Sequence, residues 1–388
     1  MFILCEPPVG VKRSGEHFAA RASRKPGRGV SLRRSGTSVA LAITASLAVI
    51  CPASAQEEPV ALAVRDLTPF SLPFLGFAPA PPPPLGTRGW SLEARFSVAN
   101  TFVHSPAVER YLGERGRRAA LSPAELVSLA ALPTEDFYFD GEIEALTLES
   151  RWAVGVRHEV FVSVPVLLFS GGALDSVIEG FHDAFGLGQA GRDQVARSQF
   201  QLLLEVGGKS LLFADAPTHG GLSDPIVGGR WRFGATPGWN GSIEAAIKAP
   251  VAGERLFLSS GGWDAGVQIA VQRRWPVWGA AGSVSVVRTG RSHSALALPE
   301  RTLPSLTAAG SRRLREGTEA VVQVTWIRSL FNGLVSSDLA DSVWLGTLGV
   351  RHASGPFTWE FGLVENLKTY NNSADIGLHV SLAWRPRT

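Results

Sequence analysis

From residue 90 onward, apolar and polar positions alternate in short blocks. Leu92, Ala94, Phe96 and Val98 alternate with Glu93, Arg95, Ser97 and Ala99. The same pattern runs through 227–234, 239–248, 263–272, 357–364 and 376–385. Successive side chains of a strand face opposite sides, so each block has one apolar face and one small, polar or charged face. Blocks of about 10 residues have the length that a tilted strand needs to cross hydrocarbon. Trp90, Trp152, Trp231, Trp239, Trp263, Trp326 and Trp384 sit at block ends, where an interfacial girdle would place them. A soluble β-sandwich also alternates. The block length, the aromatic ends and the amphipathic final block favour an all-β fold, an antiparallel transmembrane β-barrel over 90–388.

Turn chemistry divides the blocks. Gly207-Gly208, Thr236-Pro237-Gly238 and Trp275-Pro276 read as tight links. The segments 101–141, 169–197, 214–225, 249–261 and 289–317 read as long loops, giving the short-turn, long-loop rhythm of a barrel. The rhythm breaks near 330–374, where the strand count comes out odd. A single-chain bacterial barrel needs an even number, so the expectation is roughly 12 strands, with 14 as the alternative. Two loops carry helices. Ser122-Pro123-Ala124-Glu125 supplies an N-cap, a first-turn Pro and a capping-box Glu, followed by Leu126, Leu129 and Leu132. In 172–186, Leu174, Val177, Ile178, Phe181 and Phe185 form one apolar stripe. This second helix is expected to cap the barrel mouth or fold into the lumen.

The N-terminus changes how the charge is read. An uncharged apolar run over 39–50 follows Arg33-Arg34 and precedes Ala53-Ser54-Ala55. That is the layout of a secretory signal peptide cut before Gln56, too short for a membrane span. Residues 1–55 are therefore expected to be a Sec leader, with translation starting near Val30 from an alternative codon. They hold eight of the 37 basic and two of the 34 acidic residues. The remainder carries 29 basic against 32 acidic groups, a formal −3, where the whole chain has +3. No basic-surface argument for nucleic acid survives. Cys5 and Cys51 leave with the leader, so no disulfide, thiol chemistry or cysteine metal site is expected. Residues 56–89 are Pro-rich, with the run Pro79–Pro84 stiff and extended. They are expected to lead from the periplasm into the first strand or to tuck into the barrel.

Candidate chemistry is sparse. Glu93, Arg95, Glu205, Arg230, Arg232, Glu244, Lys248, Asp264 and Glu360 occupy the polar phase of their blocks and are expected to face the lumen. They either select a solute by charge or pair among themselves, and both readings stay open. Asp175, Glu179 and His182 share one face of the second helix at i, i+4 and i+7, beside Asp183. No second ligand cluster completes a metal site, so no metal and no cofactor are expected. His352-Ala353-Ser354 and His293-Ser294 are bare His–Ser neighbours without a triad's third group, and no catalytic residue is assigned.

Asp375-Ile376-Gly377-Leu378-His379-Val380-Ser381-Leu382 resembles the C-terminal signal that outer-membrane barrels present to their assembly machinery. Gly171–Leu187, Gly191-Arg192-Asp193, Glu365-Asn366-Leu367 and Ser373–Gly377 resemble an uncharacterised bacterial envelope family, domain of unknown function 3187. The resemblance covers most of the chain after the leader and brings no activity or catalytic residue with it. The expected function is a narrow outer-membrane channel or passive transporter for small solutes. The alternatives are a structural or adhesive barrel acting through its outer loops, or a lipid-modifying barrel. Expected partners are outer-membrane lipid, the barrel assembly machinery and an unspecified solute.

Overall fold

The computed structural model describes residues 58–386 apart from 69, 80–88, 133–135, 187, 207, 235–237, 254–256, 294–296 and 369–371. The expected leader with its cysteines, most of the Pro79–Pro84 run, Gly207, Thr236-Pro237 and Ser294 lie outside the described residues. Fifteen strands follow in order: β1 (Trp90–His104), β2 (Phe137–Ala153), β3 (His158–Ser170), β4 (Gln201–Val206), β5 (Lys209–Phe213), β6 (Gly220–Leu222), β7 (Ile226–Phe233), β8 (Trp239–Lys248), β9 (Asp264–Arg274), β10 (Trp278–Thr289), β11 (Arg301–Arg315), β12 (Thr318–Ile327), β13 (Val343–Ser354), β14 (Phe357–Asn366) and β15 (Ile376–Trp384). Three helices interrupt them: α1 (Pro106–Arg115), α2 (Pro123–Ala130) and α3 (Asp175–Phe185). No described helix is long and apolar enough to cross a membrane.

Twelve strands close a ring. β1, β2, β3 and β7 to β15 pair antiparallel in sequence, and β15 returns to β1 in register from Leu92↔Trp384 to Asn100↔Ile376. Closure leaves no open edge in the ring, the condition for strands to sit in lipid. The short links, such as 154–157, 275–277, 316–317 and 355–356, all fall at one end, the turn end. The longer links gather at the loop end. The rhythm runs unbroken through 330–374. The irregularity expected there came from 289–317, which is not a loop but contains β11. Its outward positions include Pro304, Ala308, Gly310 and Arg312, so its apolar phase is nearly silent.

The ring's outward phase is apolar and exposed, with Leu92, Phe96, Leu148, Ile243, Ile269, Leu348 and Phe361 among its residues. Eight tryptophans lie toward the turn end (90, 152, 231, 239, 275, 278, 359, 384) and three at the loop end (263, 326, 344). Arg273 stacks over Trp239 and Trp275, and Arg312 over Trp278. These arginines carry charge at the girdle while their stems lie along the wall.

β1 and β2 outrun the ring at the loop end. They pair from Trp90↔Trp152 up to His104↔Tyr138, well beyond the last β1–β15 pair. β4 extends this overhang by pairing with Phe137–Asp140, and β5 pairs with the other edge of β4. Its outer face, with Phe102, Tyr138 and Leu203, is covered by α1, α2 and residues near 195. Val108, Leu112, Leu121, Leu126, Leu129 and Val195 complete this second core. The result is a folded collar outside the barrel wall. In it α2 has the expected capping box, Ser122 and Glu125 each bonding the other's backbone N–H. Leu132 stays exposed and does not join the core.

Candidate functional site

The lumen is filled by the chain's own segment 58–79. It enters at the turn end, where Arg385 grips Glu58 through two bonds of 2.7 and 3.0 Å. It rises to Phe70 at the loop end and turns back, so that Phe77 packs at Gly266, where a Cβ would come within 2.7 Å of the ring. The rising limb has no regular structure, yet the wall satisfies its backbone. Gln272 accepts from the Val60 N–H, Gln323 from Leu62 and Glu360 from Ala63, each at 3.1 Å. Asp264 accepts from the Leu75 N–H at 2.9 Å, and Gln268 donates to the Ala78 carbonyl at 2.8 Å. Arg274 donates to the Glu58 carbonyl at 2.8 Å, and Arg351 to the carbonyls of Pro59 and Ala61. Irregular backbone at this depth survives only with such partners.

The tip of the segment is tied to itself. Asp66 accepts from the Thr68 N–H and hydroxyl at 2.9 and 2.7 Å. Arg65 donates to the carbonyls of Leu72 and Phe74. Phe70 then meets Phe139, Phe257 and Phe331 edge-on, with ring centroids 6.1, 6.3 and 5.4 Å away. Leu67, Leu72 and Phe74 join the same buried cluster as Phe169, Phe200 and Leu330. An apolar seal thus closes the loop end.

Below the seal the wall is charged. Arg230 donates to Glu244 at 2.8 Å and to Glu159 at 3.2 Å, and Arg232 to Glu159 at 3.0 Å. Arg95 bonds Glu149, with Glu93 at 3.9 Å. Across the lumen, Arg351 donates to Glu360 at 2.8 Å, with His379 3.8 Å from the same carboxylate. Higher up, Lys248 donates to Asp224 at 2.7 Å and to Ser260 at 2.9 Å, with Asp264 at 3.5 Å. Between segment and wall lies a cavity of about 100 Å³, lined by Arg65, Glu93, Arg95, Glu149, Arg151 and Arg230 among others. Its lining mixes these charged groups with Leu75, Phe77 and Phe161, and it has room for several waters. Arg151 faces it buried, with Glu149 and Glu159 at ion-pair distances of 3.6 and 4.0 Å and no hydrogen-bond acceptor among the described residues.

Eight of the nine expected lumen residues, Glu93, Arg95, Arg230, Arg232, Glu244, Lys248, Asp264 and Glu360, lie on the ring's inner face. Glu205 does not. It belongs to the β4–β5 hairpin, whose inward phase is taken by Leu202 and Leu204, so its carboxylate accepts from Ser210 at 3.0 Å away from the lumen. Sequence reasoning missed Glu149, Arg151, Glu159, Arg351, His379 and Arg385. The spacing Glu149-x-Arg151 repeats Glu93-x-Arg95 and stands beside Leu146 and Leu148, a signal that was present. Of the two courses expected for 56–89, the described residues 58–79 take the one that tucks into the barrel and do not form a periplasmic lead-in.

The second expected helix, α3, neither caps the mouth nor enters the lumen. It lies on the outer wall, because its N-terminal N–H groups at Ala173 and Leu174 donate to Glu142 on the outward face of β2, at 3.2 and 3.0 Å. Its polar residues turn inward. Asp175 accepts from Arg192 at 2.8 Å and from Asn100 at 3.0 Å. Glu179 is held by Arg118 and Arg197, and these two guanidiniums keep its carboxyl below the usual value against the opposing effect of burial. Asp183 takes a 2.6 Å bond from Gln189 at the surface, and His182 is partly buried. Among the described residues no group of acids and imidazoles could hold a metal ion. His352 shares a 2.9 Å bond with Thr318, and among the described residues neither Ser354 nor a carboxylate is shown bonded to it.

A closed antiparallel ring with an apolar exterior, two tryptophan girdles and a charged interior defines a transmembrane β-barrel of the outer-membrane kind. The family described as Protein of unknown function (DUF3187) matches residues 124–385, more than half of the chain, and the chain belongs to it. No curated protein sequence matches. Among solved structures, the chain is similar to the COG4313 outer membrane channel from Pseudomonas putida F1, at 8% identity and a TM-score of 0.46, over 78% of this chain and 97% of that one. It is also similar to the P. putida toluene transporter TodX, at 8% identity and 0.35, over 78% and 91%. A third is the Ralstonia pickettii toluene transporter TbuX, at 11% and 0.33, over 85% and 98%. At these scores no residue role and no solute is carried over.

Proposed function

We propose that the protein is a narrow outer-membrane channel for small solutes, exported through the Sec route, with residues 58–79 as its internal gate. The observation that carries this reading is the way the segment is held. Its backbone hangs on polar wall side chains, and apart from the apolar seal around Phe70 its side chains pack in two small clusters, Leu62 and Val64 against Val321, and Leu75 against Phe161, Ile226 and Val287. Polar bonds of this kind exchange readily for bonds to water. A wall lined with Arg, Glu and Gln would remain solvated once the segment withdrew.

The test is planar-bilayer recording of two variants beside the intact chain. Deletion of 58–79 is expected to raise conductance well above that of the intact protein. In V60C/G279C the new thiols face each other, since a Cβ on Gly279 would approach the Val60 side chain to 2.8 Å. Oxidation is expected to silence this variant and reduction to restore its current. A deleted chain that folds yet carries no additional current, or an oxidised double cysteine that conducts like its reduced form, overturns the gate.

A further inference from the structure

α3 is built inside out. In a helix on a water-soluble surface the apolar stripe faces the protein and the charges face solvent. Here Asp175 and Glu179 face the protein, both nearly fully buried, in ion pairs with Arg192, Arg118 and Arg197. Val177 and Phe181, at i and i+4, face outward with 64% and 39% of their surface exposed. Gly180 and Ala184 complete the outward stripe. Ile178 is the one described apolar side chain of α3 that is fully buried.

The level at which the helix lies explains the inversion. Leu168 is the last exposed apolar residue of β3 and pairs with Glu144. Two residues further, Ser170 pairs with Glu142, the carboxylate that receives the start of α3. Two residues of strand are about 7 Å, and less along the bilayer normal for a tilted strand. The start of α3 thus lies one outward position past the end of the lipid-facing band on β3, and two past it on β2, with Phe96, Leu146, Leu148 and Leu168 exposed in that band. The Gly171-Gly172 turn fixes this position. Gly172 has φ +70°, and a Cβ there would strike the Glu142 side chain at 2.3 Å.

We propose that α3 is a membrane-surface anchor whose Val177 and Phe181 side chains insert into the leaflet at the loop end, at the boundary of headgroups and acyl chains. Helices of this kind bury an apolar face to that depth. The inward charges are then structural: their ion pairs hold the collar against the helix, and the helix holds the collar down on the bilayer. The proposal requires that the barrel spans a membrane and is independent of what the lumen carries.

The experiment uses the full chain with Cys5 and Cys51 replaced by Ser, reconstituted in phospholipid vesicles. Single cysteines V177C, F181C and, on the exposed face of α1, E109C carry an environment-sensitive fluorophore. Probes at 177 and 181 are expected to be quenched several-fold more by lipids brominated near the headgroup than the probe at 109, and less by aqueous iodide. Equal iodide quenching at all three positions overturns the proposal. Protection of 177 and 181 from both quenchers also overturns it, by assigning the stripe to a second copy of the chain. V177N/F181N, which leaves the buried charges alone, is expected to keep the barrel's heat-modifiable migration while raising protease cleavage within 171–197. Unchanged cleavage in the bilayer would count against the anchor.

Discussion

Arg351 ties the wall of the lumen to the gate segment. It is almost fully buried, pairs with Glu360 and reaches two carbonyls of the gate segment. Removing one partner of a buried pair strands the other charge, which costs about 3–5 kcal/mol. Arg351→Ala is therefore expected to lower the unfolding midpoint in detergent and to loosen residues 59–63, with faster hydrogen exchange there as the readout. R351A/E360Q is expected to recover part of the midpoint, because no lone charge is left. Gly172 is the corresponding residue in the collar. Gly172→Ala demands a left-handed backbone from an L-residue and a new place for the Glu142 carboxylate, a strain of about 1–3 kcal/mol. Limited proteolysis is expected to show earlier cutting in 171–197 with the barrel intact.

Among the elements, α2 shows how a cap responds to acid. Burial raises the Glu125 carboxyl, but bonds from the Ser122 backbone, the Ser122 and Tyr111 hydroxyls and Arg117 outweigh it and hold the group at about 2. A carboxylate depressed in the folded state adds stability that is present above its unfolded value and lost as pH falls through its folded value. The collar is therefore expected to weaken from about 4.5 downward toward 2. Pepsin cleavage within 106–130 measures this, and E125Q is expected to flatten the dependence. This cap was legible because Ser122, Pro123 and Glu125 act locally. β8, β9, β14 and β15 were legible too, since their large apolar residues keep one phase. β11 was not, because small residues and Pro304 serve as well against lipid in a closed ring as large ones. α3 had a readable stripe and an unreadable direction: periodicity reports that two faces differ and is silent on which one meets protein.

At the scale of the whole molecule, inward charge was legible and its purpose was not. Alternation shows that Glu93 or Glu360 points inward, but whether it meets water, a solute or another part of the chain depends on contacts hundreds of residues apart. Glu205 failed for the same reason, since its strand pairs with an overhang and not with the ring. The bond between Glu58 and Arg385 also bears on the order of assembly. It joins groups 327 positions apart, beside the β1–β15 seam that turns an open sheet into a ring. Contacts of such long sequence separation form late and slowly. The gate segment is made first, yet most of its anchoring side chains lie on β9, β12, β13, β14 and just past β15, so it gains its full set of bonds only when the last hairpin arrives. Deletion of 58–79 is accordingly expected to shorten the time to the heat-resistant form on refolding into vesicles, as followed by gel mobility. The segment enters the ring and leaves it again at the turn end, so a closed seam does not lock it in place. The seam shuts over a guest supplied by the same polypeptide, and the guest keeps its way out through the end by which it entered.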